Sequence, residues 1–155
     1  MGAVDSRIST LLVQSGARCC AIPMTHVLEV MRPLPLDAVV GMPAYVLGLS
    51  VIRGRPTPVV DLARVFPQAE RAEPSRYVAL KLGDRRLALA VDAVLGVREL
   101  ALQEMDEYPP LLGSHSAELV DSLGVLDAKL LLALSTTRLI PEAAWGALAT
   151  GDARE

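Results

Sequence analysis

Short apolar runs alternate with turn residues along most of the chain. Ile8 to Ser15 and Tyr77 to Leu82 have strand-like composition, and Gly16-Ala17 and Gly83-Asp84 follow them as turns. The chain returns through Arg18 to Ile22 and through Arg85 to Val91, so each pair predicts a hairpin. A short turn or helical segment comes next, then another strand near Glu29 to Arg32 or Gly96 to Leu100. Later strands are predicted at Leu47 to Arg53, Thr57 to Val60, Ser122 to Leu126 and Lys129 to Leu134. Asp61 to Phe66 reads as a short helix with Asp61 at its start. Thr136 or Thr137 begins further helical structure, and Pro141 before EAAWGALA is a better helix start. The terminal GDARE is expected to fray.

The two halves of this pattern match each other. Gly16 to Val30, shifted by 67 residues, falls on Gly83 to Val97. Gly16 meets Gly83, Arg18 meets Arg85 and Ala21 meets Ala88. Val27 meets Val94, Leu28 meets Leu95 and Val30 meets Val97. Six of fifteen positions are identical without a gap, which predicts an internal duplication. Between the halves, Pro67 to Arg76 reads PQAERAEPSR, with two prolines and four charges, a linker or exposed loop. The expected organisation is a single domain over 1–155. It holds one subdomain over about 8–67, a linker at 67–76, a second subdomain over about 77–135, and a C-terminal helical segment at 136–150.

Many short strands at this spacing indicate small barrels or sandwiches, and closure would remove exposed sheet edges. Two barrels of roughly 60 residues are each marginal alone. They are expected to pack through a shared apolar interface and leave a groove between them.

Composition narrows the partners. Apolar residues make up 52% of the 155 and aromatics 3%, so an aliphatic core is expected and disorder is excluded. The net charge of −3 argues against a nucleic-acid binder. Residues 1–67 carry six arginines against four acids, whereas residues 68–155 carry nine basic residues against fourteen acids. That asymmetry fits two different partners, one half docking on the other, or a scattered solvated surface. The longest uncharged run, Ala38 to Ile52, is broken by Gly41, Pro43 and Gly48 and falls short of the roughly 20 residues of a membrane span. With no apolar leader in MGAVDSRIS, the expected location is cytoplasmic, without membrane insertion.

Catalytic chemistry has little to stand on. His26 and His115 lack motif partners, and no GxSxG, HExxH, CxxC or phosphate-cradling loop occurs. Adjacent Cys19 and Cys20 would point to opposite strand faces and do not space a tetrahedral zinc site, so free packing thiols are expected. Asp61 and Asp92 read as strand-end or capping carboxylates. No catalytic residue, metal or cofactor is expected. Glu29 and Arg53 lie in apolar surroundings, each either at a solvated edge or paired with the other.

AIPMTHVLEV, GMPAYVLGLSVIRGRPTPVVDL and LALAVDAVLGV resemble the CheW-like domain of bacterial chemosensory systems over about residues 8–135. Pro43, Gly48, Arg53-Gly54, Pro58 and Val60-Asp61-Leu62 fall at the family's marked positions. Val51 and Ala93 depart from its usual Asn and Gly, which marks a divergent member. The resemblance implies a mainly-β fold of two packed five-stranded SH3-like barrels with a few short helices. It also implies a non-catalytic adaptor. Its partners would be the cytoplasmic tip of a methyl-accepting chemoreceptor and the regulatory domain of a histidine kinase, at membrane-associated receptor arrays. The 155 residues leave no room for a kinase core or receiver domain, so a stand-alone adaptor is expected. By position, Val27, Glu29, Gly48 and Arg53 fall where the family's coupling residues cluster, with Val94 and Val97 in the equivalent segment of the second copy. The resemblance favours Glu29 and Arg53 as a couple near the groove. The competing expectation is a stand-alone β-barrel module that binds proteins or a ligand in another regulatory pathway.

Overall fold

The computed structural model describes residues 7–65, 73–101, 106–107, 120–126, 129–134 and 136–149. These residues form β1 (Arg7–Ser15), β2 (Arg18–Pro23), β3 (Val27–Met31), β4 (Val46–Ile52), β5 (Arg55–Asp61) and β6 (Arg76–Leu82). They continue with β7 (Arg85–Val91), β8 (Ala93–Ala101), β9 (Asp106–Glu107), β10 (Val120–Leu126) and β11 (Lys129–Leu134). Helix α1 is Leu62–Val65 and α2 is Glu142–Ala149; Met24–His26 and Thr136–Arg138 are 3-10 turns. The mainly-β expectation holds, and the longer strands lie within a few residues of their predicted bounds. Two-residue β9 carries no pattern that could have announced it. His115, most of the expected linker and GDARE lie outside the described residues.

The two sheets are not the two halves of the chain. One runs β8-β1-β2-β11-β10-β9 and the other β3-β6-β7-β5-β4. Each is built on the hairpin of one half and flanked by strands of the other, four (β8, β9, β10 and β11) in the six-stranded sheet and three (β3, β4 and β5) in the five-stranded one. Strands β3 and β8 cross over in the same way, so the duplication survives as an exchange of strands. Among the described residues three hairpins close on two-residue turns, Ser15 opposite Arg18, Leu82 opposite Arg85 and Ile52 opposite Arg55, and β10 and β11 pair from Leu126 opposite Lys129. The shift between copies is 67 residues for the first pair of hairpins. For the second it becomes 74, the distance from Val46 to Val120.

Alternation along the central strands separates two kinds of core. Leu11, Val13, Cys20, Ile22, Val78, Leu80, Leu87 and Leu89 join the large cluster between the sheets. The intervening Tyr77, Ala79, Ala88 and Ala90 line the inner face of the five-stranded sheet with Ile52 and Val59. Leu12, Ala21 and Leu131 do the same in the other sheet. Large aliphatics therefore fill the joint, and the alanines of β6 and β7 take the opposite face of the five-stranded sheet. Both faces are buried, which is why the strands read as near-continuous apolar runs. Leu139, Ile140, Ala144 and Trp145 at the C-terminal end complete the central cluster.

The expected barrels do not close by hydrogen bonding. Strands β3 and β4 remain the two edges of their sheet among the described residues. The segment between them covers the β4 edge instead: the Asp37 N–H donates to Leu49 O and the Leu49 N–H to Asp37 O, each at 2.8 Å. Ser50 Oγ donates to Pro35 O at 2.7 Å, holding the same segment down.

Candidate functional site

Glu29 and Arg53 come together across the open seam of the five-stranded sheet. Glu29 sits mid-way along edge strand β3, and Arg53 occupies the β4–β5 turn. Arg53 Nε donates to Glu29 Oε2 at 2.7 Å and Nη2 donates to Oε1 at 2.9 Å, a two-pronged pair. The Arg53 side chain is 78% exposed and that of Glu29 29%, so the couple lies at the solvated surface. Those hydrogen bonds hold the Glu29 carboxyl below its ordinary range, and Glu29 holds the Arg53 guanidinium above its own. Arg53 takes a positive φ of 53° beside Gly54 at 76°, the geometry of a tight hairpin turn.

Gly48 is required by the fold. Its φ is +151°, and a Cβ there would lie 2.4 Å from Asp37 O. The close approach it permits is to the chain's own covering segment.

The valines divide by depth. Val27 and Val94 pack, half-buried, against the central cluster. Val97 is 58% exposed, as is its duplicate Val30 at 41%. Val30 pairs with Val78 and Val97 with Leu11, so both stand on the sheet face that holds the central cluster, at its margin. Leu28 and Leu95, also duplicates, fall at the register shifts of β3 and β8 and are about half exposed. Sequence reasoning missed Val30, Leu28 and Leu95, although all three stood in the repeat alignment. Bulged edges displaying the same large aliphatics twice have the character of docking surfaces.

The remaining candidates serve the fold. Cys20 is fully buried and Cys19 half-buried, both unbridged, and burial pushes the Cys20 thiol far up. His26 Nδ1 lies 2.9 Å from Thr136 Oγ1. Asp61 Oδ1 accepts the Ala63 N–H at 3.1 Å and so caps α1. Asp92 Oδ2 accepts the Gly16 N–H at 2.6 Å, tying the second copy to the first hairpin turn. Among the described residues no group of His, Cys, Asp or Glu could hold a metal, and no helix is long and apolar enough to cross a membrane.

The profile of the CheW-like domain matches residues 9–144. The chain belongs to the CheW-like family. It is 33% identical over 109 residues to Protein FrzA of Myxococcus xanthus, covering 69% of this chain and 66% of that one. It is 26% identical over 98 residues to the Chemotaxis protein CheW of Helicobacter pylori, covering 62% and 59%. Both alignments thus span less than two thirds of the relative's length. The fold is similar to that of the scaffolding protein TtCheW from Thermoanaerobacter tengcongensis, with a TM-score of 0.72 at 20% identity, covering 84% of this chain and 90% of that one. Within this CheW-like chain, the Glu29–Arg53 couple and the aliphatic margins of β3 and β8 are among the features facing solvent.

Proposed function

We propose that this CheW-like chain is a non-catalytic adaptor that joins the cytoplasmic tip of a methyl-accepting chemoreceptor to the regulatory domain of a histidine kinase. Family membership and the matched exposed pairs Val30/Val97 and Leu28/Leu95 support the reading. A receptor helix presents apolar side chains at i, i+3, i+4 and i+7. Val97 on β8 offers such a stripe an aliphatic partner, and Val94 behind it ties that margin to the rigid core. Glu29 and Arg53, beside Val27 and Val30 on the β3 margin, present a fixed, charged feature on a second surface, for the kinase domain. Gly48 acts indirectly, by keeping the β4 edge covered. In this reading the protein works in the cytoplasm and is recruited to receptor arrays.

Calorimetric titration against a kinase regulatory domain and then a receptor tip fragment tests this. Micromolar binding to both, on the order of −8 kcal/mol, is expected. Val97→Asp is expected to abolish receptor binding and spare kinase binding. Binding to neither partner would leave the fold with a different role, as a stand-alone interaction module.

A further inference from the structure

The hairpin-tip end of the five-stranded sheet gathers cations. The β4–β5 and β6–β7 turns meet there, where Arg55 Nη2 donates to Asp84 O at 3.3 Å. Arg53, Arg55 and Lys81 are exposed there, Arg53 being paired with Glu29 and Asp84 being the exposed acid of the β6–β7 turn. Lys81 stands directly opposite Arg86 across β6 and β7, so two like charges share one face. Arg86 is half-buried, and its Nη1 is enclosed with no hydrogen-bond partner among the described residues. A guanidinium carries five donors and no acceptor, so neighbouring lysine and arginine side chains cannot satisfy it. An enclosed unpaired donor is a cost that an incoming acceptor relieves. The chain as a whole carries −3, so this cluster is a local feature and not a reflection of bulk charge.

We infer that this end of the sheet docks an acidic segment of a protein partner, with a carboxylate drawing Arg86 outward into a paired geometry beside Lys81 and Arg55. Arg53 already holds a carboxylate in this fork geometry, that of Glu29. The cations are spread over two hairpins and do not converge on one point, which suits several carboxylates along a chain better than a single phosphate. This inference stands on its own observations and does not depend on the adaptor reading.

The probe is a fluorescent oligoglutamate peptide titrated into the full chain at low salt and followed by anisotropy. Arg86→Gln and Lys81→Gln are each expected to weaken binding about tenfold, a change salt would mimic, while Arg32→Gln, just past the end of β3, leaves it unchanged. Equal losses in all three variants would reduce the site to bulk charge and overturn the inference. So would full displacement of the peptide by equimolar inorganic phosphate, or binding to phosphatidylglycerol vesicles without binding to the peptide. Thermal unfolding supplies an independent check. Because Arg86 leaves an unpaired donor, Arg86→Gln is expected to keep or raise the melting temperature, and a marked drop would show that Arg86 is a structural partner.

Discussion

Gly48→Ala tests how the candidate site is held together. The added Cβ would meet Asp37 O at 2.4 Å, well inside any ordinary contact, and the neighbour is backbone. The covering segment must therefore move. A retreat of about 1 Å takes both 2.8 Å hydrogen bonds between Asp37 and Leu49 out of range. Losing two such bonds costs about 2 kcal/mol, and a non-glycine residue at φ +151° adds about 1 kcal/mol more. A total of about 3 kcal/mol lowers the melting temperature of a chain this size by about 6–12 °C. Urea unfolding followed by circular dichroism reads the same loss. Gly146→Ala is the control: it lies in α2 with nothing within 4 Å, and it is expected to gain about 0.5–1 kcal/mol. A Gly48→Ala loss below about 0.5 kcal/mol, the size of an ordinary surface change, would refute the steric reasoning. It would also return Gly48 to consideration as a direct contact for a partner.

Three further outcomes follow from the packing and the charges. Leu89→Ala in the central cluster is expected to cost about 2–5 kcal/mol, and Ala88→Leu on the opposite face of the same strand about 1–3 kcal/mol by overfilling; tolerance of Ala88→Leu in chemical denaturation would contradict the two-core division. In the native protein a thiol reagent is expected to modify Cys19 first, and Cys20 only on unfolding, since burial holds that thiol protonated; simultaneous modification, counted by mass spectrometry, would contradict it. Glu29 has a lowered pKa in the fold, so its contribution is present above the unfolded carboxyl's range and fades as pH falls through the folded value. Arg53→Gln is therefore expected to be slightly less stable than wild type near neutrality and equal to it in acid, and a difference persisting in acid would separate Arg53 from Glu29.

Much of this was legible because the duplicated pattern is local. The Gly16 and Gly83 turns, the returning strands, the Asp61 cap and the helix after Pro141 all announce themselves within a few residues. Exchange of β3 and β8 between sheets was not legible, because a crossover depends on which hairpin each edge strand meets in space. Alternation could not assign faces either: with large aliphatics on one side and alanines on the other, β6 and β7 read as uniformly apolar. The apolar neighbours of Glu29 and Arg53 left a solvated edge and a pair open as alternatives, and the fold makes the couple both at once. The 2.4 Å approach behind Gly48 depends on Asp37, a loop residue that no periodicity marks.

The proposed role requires one chain to bridge two proteins. Sedimentation velocity of a receptor tip fragment and a kinase regulatory domain, with and without this protein, tests it directly. A single faster boundary holding all three components is predicted when the protein is present, and its loss with Val97→Asp. Boundaries that stay separate in its presence, or a ternary species indifferent to Val97→Asp, would contradict the account.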